Sequence, residues 1–222
     1  MFRSFVKISA SCLFSGIILF VLSGCNPEAR LAADASRGDV QSQYDLSEYY
    51  SELDIPQKTK AFQWMERAAS SRYLPAMKKL AGFYLKGYGT KVDYPKAAMW
   101  FQRYYELKGD SEEALFNGRQ IMLGASSRAD VVAGFTLYRI AIMLENLEGD
   151  GELELARTAA EEMTIHTKKT VNWLLSSRNY MDAKKMVYFT GTCMKEYPSS
   201  FTKEMNESLE EIRKEIAKYI EL

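Results

Sequence analysis

Few side chains in this sequence could carry out proton-transfer or covalent chemistry, so each can be weighed in turn. His166 is the single histidine, in the polar stretch MTIHTKK. A histidine can shuttle protons near neutral pH. Here its sequence neighbours are threonines and lysines, which places it on an exposed helix face with nothing to orient it. Cys193, in FTGTCMKEY, has apolar neighbours at helical spacing and reads as a buried, unreactive thiol. The pairs Glu112–Glu113 and Glu161–Glu162 are adjacent in sequence. Neighbouring helix residues point apart, so these are solvated faces rather than acid/base couples. The loop LKGYGTKVDYP, residues 85–95, holds two glycines. A loop that cradles phosphate would need more glycines and a Lys-Ser/Thr pair, and no metalloprotease, hydrolase, CxxC or calcium-loop spacing occurs elsewhere. The sequence marks no catalytic residue, no metal site and no cofactor.

The elements around these residues are more informative. The 222 residues are 47% hydrophobic and 26% charged, enough to build a sizeable core. Basic and acidic residues balance at 29 each, which gives no global field for nucleic acid. KAFQWMERAA at 60–69 is followed 36 residues later by KAAMWFQRYY, so Lys60, Ala61, Trp64 and Arg67 recur as Lys96, Ala97, Trp100 and Arg103. A further 36 residues on come Ala133 and Arg139. Met65, Phe101 and Leu137 hold the same register, and each copy presents one helix face. Another helix precedes each copy, with Leu46 and Tyr50 matching Leu80 and Tyr84 at a spacing of 34. SEEALFNGRQIML supplies a degenerate third first helix. Loops that change length while helix register persists belong to arrays of helical hairpins. In this reading Gly87 and Gly89 stop one helix, Pro95 starts the next with Pro56 in the same role one repeat earlier, and Asp130 caps the third copy.

Ala76, Leu80, Ala81 and Tyr84, then Gly87, Gly89, Val92 and Asp93, then Lys96, Ala97 and Trp100 resemble the Sel-one-like repeat, a relative of the tetratricopeptide repeat. The resemblance spans roughly residues 38–145 as about three repeats. It departs from the family pattern in repeat one, which lacks the loop glycines, and in repeat three, where Thr136 stands in place of Trp. It implies an all-α solenoid of helical hairpins, with residues 146–222 as a C-terminal helical capping region. It also implies a concave face lined by the first helix of each repeat, which here places Gln41, Tyr44, Glu48, Lys78 and Gly82 toward a partner. Tyr44 reads equally as a residue that only stacks on its neighbours. In the last segment Phe201, Met205, Leu209, Ile212, Ile216 and Tyr219 form one stripe. It closes the open end of the core or serves as a dimer or partner helix.

The N-terminus follows a different plan. Arg3 and Lys7 precede an uncharged run, and GIILFVLSGC ends in small residues before Cys25. Leu22-Ser23-Gly24-Cys25 resembles the lipobox of bacterial lipoproteins. That resemblance implies a signal peptide at 1–24, a lipid on the Cys25 thiol, an acyl chain such as palmitate on the new N-terminus, and a tether over 25–37, which reads as passing into a short alanine-rich helix. If uncut, the same run is long enough to span a bilayer. Asn26, rather than Asp, implies the outer membrane, facing the periplasm. Cys193 is then the one thiol left, so no internal disulfide can form.

These readings converge on an interaction module rather than an enzyme. Its partner would be another protein, with contact to a membrane through the lipid and none to nucleic acid. Some lipoproteins with such repeats resemble immunity proteins that neutralise phospholipase-like or other toxins delivered into the periplasm by type VI secretion. A scaffold in envelope or secretion-system assembly fits the same features. An enzyme acting on cell wall or lipid would need a catalytic carboxylate that the sequence does not mark.

Overall fold

A computed structural model describes residues 27–148 and 153–220. Cys25 and the apolar run before it lie outside those residues. The described chain is helical throughout: α1 (Pro27–Ser36), α2 (Val40–Glu52), α3 (Lys58–Ser70), α4 (Leu74–Lys86), α5 (Tyr94–Lys108), α6 (Ser111–Gly124), α7 (Arg128–Glu148), α8 (Glu154–Ser176), α9 (Tyr180–Glu196) and α10 (Lys203–Ile220), with a 3₁₀ turn at Pro198–Ser200.

Local sequence sets the boundaries. Asp39, Asp93 and Asp110 each accept a backbone hydrogen bond from the residue three further on, at 2.7–2.9 Å, and so start α2, α5 and α6. At α7 the cap is reciprocal. Ser127 Oγ accepts from the Asp130 amide at 3.2 Å, and Asp130 reaches back to the Ser127 amide at 2.9 Å. Asp130 is thus the inner member of a capping box and Ser127 is the cap. Pro95 lies in the first turn of α5. Pro56 does not share that role, because α3 begins at Lys58 with Gln57 as its cap. The first-repeat loop reaches its helix by a different path, which is why the two prolines are out of register.

Helices pair in order: α2 with α3, α4 with α5, α6 with α7, and α8 with α9. Hairpins stack through α3 on α4, α5 on α7, and α7 on α8, giving a solenoid. Alanine makes the close approaches. Ala61 and Ala97 are wholly buried and Ala133 nearly so, while Met65, Phe101 and Leu137 fill the core beside them.

The recurring residues form one recurring contact. The Tyr50 hydroxyl donates to Glu28 of α1 at 2.8 Å, and Lys60 lies over the Tyr50 ring. One repeat on, the Tyr84 hydroxyl donates to Glu66 of α3 at 3.1 Å, and Lys96 lies over the Tyr84 ring. Burial and then the neighbouring carboxylate push both phenols up to about 12. Arg67 stacks on Trp64 and Arg103 on Trp100 in the same way. In the third hairpin the whole set changes at once. Gly118 stands 34 residues after Tyr84, Val132 stands 36 after Lys96, and Thr136 replaces the Trp. A Cβ on Gly118 would lie 2.7 Å from the Tyr138 ring, so the absent side chain makes room for Tyr138, which is fully buried. With Thr136 in place of the tryptophan it would stack on, Arg139 pairs with Glu196 of α9 at 3.0 Å.

The glycine loop also has a structural task. Gly87 and Gly89 both have φ of 69°. A Cβ on Gly89 would fall 2.1 Å from the Lys58 carbonyl oxygen, so the loop of the second hairpin sits directly on the start of α3.

At the N-terminus, the span read as a tether is ordered helix from Pro27 onward. Ala35 is buried, and its carbonyl accepts from the Gln43 side chain at 3.1 Å. At the other end α8 and α9 close over Ala156, Ala159, Ala160 and Ala183, with the Thr167 and Thr190 hydroxyls 2.6 Å apart between them. Leu209, Ile212 and Ile216 of α10 are buried where that helix lies on α8 and α9. The stripe ends at the surface, where Tyr219 stacks on Tyr180. Cys193 is fully buried, and burial pushes its thiol up to about 12.

Candidate binding groove

The first helices of three successive hairpins face one groove of about 950 Å³. Tyr44 comes from α2, Lys78, Lys79, Gly82, Phe83 and Lys86 from α4, and Glu113, Phe116, Asn117 and Gln120 from α6. Helix α5 packs against α4 and α7, while α6 packs on α7. The gap left between α4 and α6 is floored by Phe101 and Tyr104 of α5. Most of the lining is therefore carbon, and Phe116 stands 56% exposed within it.

Of the five residues that the sequence assigned to a concave face, the structure brings Tyr44, Lys78 and Gly82 to this groove. Tyr44 also stacks edge-on with Tyr73, ring centroids 5.4 Å apart, so it both lines the groove and braces its wall. Burial and the nearby Glu48 carboxylate raise its hydroxyl above the usual phenol range. Gln41 stays outside the lining, bonded to Asp45 at 2.8 Å and accepting from the Tyr73 hydroxyl at 2.5 Å. Glu48 also stays outside, paired with Lys79. Lys78 reaches across to Glu113 at 2.6 Å and lies over the Tyr104 ring. This bridge joins α4 to α6, and its hydrogen bond raises the Lys78 pKa. Glu113 is therefore not a freely solvated acid, as its adjacency to Glu112 had suggested.

A family profile decides what these hairpins are. The Sel1 repeat profile matches residues 40–73 and 74–108. Residues 40–108 carry two Sel1 repeats. The two matched units are the hairpins α2–α3 and α4–α5, those with the complete Tyr–Lys–Glu contact. Sel1 repeats indicate a protein–protein interaction module. Among solved structures, the chain is similar to a Sel1 repeat protein from Oxalobacter formigenes, with 22% identity, 71% of this chain and 63% of that one covered, and a TM-score of 0.44. It is also similar to a protective antigen present in uropathogenic Escherichia coli strains displaying an SLR fold, with 17% identity, coverage of 87% and 48%, and a TM-score of 0.41. The chain thus spans less than two thirds of the length of either neighbour. A search of curated proteins found no match.

Reasoning on first helices alone missed Phe101 and Tyr104, which belong to the second helix of a Sel1 repeat and show only because α4 and α6 stand apart. It also missed Phe116. A signal for it existed: Glu113, Phe116, Asn117 and Gln120 share one face at i, i+3, i+4 and i+7, a large apolar residue on an otherwise polar stripe.

Two further side chains lie elsewhere than the sequence placed them. His166 is half-buried beside the Tyr138 ring, because α8 packs on α7 there. Burial, then Lys169, hold its pKa below the usual imidazole value. Glu162 takes a two-pronged bond from Arg119 of α6, with Nε at 2.9 Å and 3.0 Å from its two oxygens. Although burial opposes it, that partner lowers the Glu162 pKa overall. This acid ties the third hairpin to the C-terminal one instead of facing water. Its partner is 43 residues away in sequence, beyond the reach of periodicity.

Proposed function

We propose that this protein is an envelope-anchored module that binds another protein stoichiometrically through the groove between α2, α4 and α6. The observation that carries this reading is the convergence of three successive first helices on one apolar-floored cleft with polar and charged walls. Buried aromatic anchors ringed by polar groups are where binding energy concentrates in protein interfaces. The anchor rests on Leu22-Ser23-Gly24-Cys25, with Cys25 as the lipidated residue and the outer membrane, facing the periplasm, as its place. Within this role, neutralisation of a toxin delivered into the periplasm is the specific activity proposed, because it needs a small, membrane-held binder and no catalytic group.

The test is titration of the solubilised protein against a partner captured from envelope extracts. Tyr44→Ala with Phe116→Ala should weaken the complex by about thirtyfold or more, the effect of losing a central anchor. Protection against a toxin partner should follow the molar ratio of the two proteins. Unchanged affinity in the double variant moves the site away from the groove. Substrate consumed at substoichiometric protein ends the binding reading.

A further inference from the structure

The geometry points to the kind of segment the groove takes, a deduction that rests on the protein-binding role proposed above: an acidic amphipathic helix of about three turns. The charge balance of the groove differs from that of the chain. The whole sequence is neutral, yet the groove is lined by four lysines and one acid. Two of the lysines are answered internally, Lys78 by Glu113 and Lys79 by Glu48. Lys86 and Lys108 are exposed and enter none of the ion pairs among the described residues. Lys86 ends α4 and Lys108 ends α5. These helices form an antiparallel hairpin, so the two uncompensated cations stand toward opposite ends of the groove. Helix α4 has 13 residues, which sets that separation at about 20 Å.

The walls also select a conformation. Their backbone belongs to helices whose amides and carbonyls are already paired, and Asn117 spends its side-chain donor on the Tyr105 hydroxyl at 2.7 Å. An extended peptide would lay most of its backbone groups over the carbon floor, since the polar side chains stand only along the walls. A helix brings its backbone satisfied and lays an apolar stripe into the gap between α4 and α6. Acids about ten or eleven residues apart on such a helix would reach both free lysines. Apolar side chains between them would meet Phe116 and Tyr104.

The experiment uses the full chain in mild detergent and a displayed library of 14-residue helix-patterned peptides, with fixed apolar stripes and randomised polar positions. The expected result is several-fold enrichment of Asp and Glu near both ends of the selected peptides. Those peptides should lose about tenfold in affinity for Lys86→Glu/Lys108→Glu, with the loss shrinking at high salt. The double variant should select Lys and Arg at the same positions. Binders that depend on Phe116 but show no acidic preference overturn the proposal and leave groove binding intact. Binders indifferent to both Tyr44→Ala and Phe116→Ala show that the groove is not the site, and the broader reading falls. Failure to select any acidic peptide, with lysine-dependent sedimentation on phosphatidylglycerol vesicles but not phosphatidylcholine vesicles, overturns the proposal in favour of lipid headgroups.

Discussion

Among the described glycines with positive φ, Gly89 should be the most sensitive, and the reason can be worked through with two controls. Replacing it by alanine forces a side chain into the left-handed region, at about 1–2 kcal/mol. The new Cβ would also lie 2.1 Å from the Lys58 carbonyl oxygen and 2.8 Å from the Phe62 Cβ. Neither is the free end of a flexible side chain, so the loop or the start of α3 must move by about an ångström. Overpacking of that kind costs about 1–3 kcal/mol. The sum, about 2–5 kcal/mol, corresponds to a fall of about 5–15 °C in Tm for a chain of this size. Gly38 also has positive φ, at 98°, but its Cβ would meet nothing within 4 Å. Gly38→Ala should therefore cost the backbone part alone, about 1–2 kcal/mol. Gly82 lies inside α4 with open space around it, so Gly82→Ala should gain about 0.5–1 kcal/mol. Thermal and urea unfolding followed by far-ultraviolet circular dichroism would rank the three. Hydrogen exchange should show Gly89→Ala loosening residues 87–93 and the first turn of α3 together. A Gly89→Ala midpoint equal to that of Gly38→Ala would refute the claim that this loop seats on the preceding hairpin.

Other expectations follow from the same contacts. Trp100, 6% exposed, should cost about 3–5 kcal/mol on truncation to alanine, and half-buried Trp64 visibly less; calorimetry on both variants checks the order. Ala97→Leu should cost about 1–3 kcal/mol by overpacking the fully buried contact, measured by urea midpoint. His166 has a folded pKa below its unfolded value, so its contribution is complete above the unfolded pKa of about 6.5 and is lost as pH falls through the folded pKa. The pH–stability profile of His166→Gln should lack that part of the acid loss, and superimposed profiles would count against it. Cys25→Ser should leave a precursor that takes up no labelled fatty acid, and normal labelling would remove the anchor.

Much of the architecture could be read from sequence because the 36-residue register and the packing are the same fact. Ala61 and Ala97 recur since helices must approach there, and Lys60 and Lys96 recur since each covers a tyrosine ring. Tyr44, Lys78 and Gly82 were placed on a shared face by the resemblance to the repeat family, and they share a groove, while Gln41 and Glu48, placed with them, do not line it. The floor of the groove was not legible, because whether the buried Phe101 and Tyr104 close it depends on the spacing of α4 and α6, which no local pattern encodes. Glu113 and Glu162 were misplaced for a related reason. A carboxylate looks solvated in a helical pattern until a lysine or arginine from another hairpin arrives, and Lys78 and Arg119 are 35 and 43 residues away.

The tyrosine–acid contact gives the array a direction. Tyr50 leans on Glu28 and Tyr84 on Glu66, so each unit needs an acid supplied by the helix before it. Neither of these two tyrosines draws its acid from a later helix, and at Gly118 the series ends. A chain emerging N-terminus first would present Tyr50 and Tyr84 with their carboxylates already in hand. Each completed hairpin would then be a finished template for the next, and short-lived nascent intermediates would expose only their growing edge. Loss of α1 should accordingly unravel the unit that follows it, whereas trimming from the other end should leave the first two units standing. Time-resolved proteolysis of ribosome-stalled chains of increasing length would reveal this one-way order as protection that advances in steps of one hairpin.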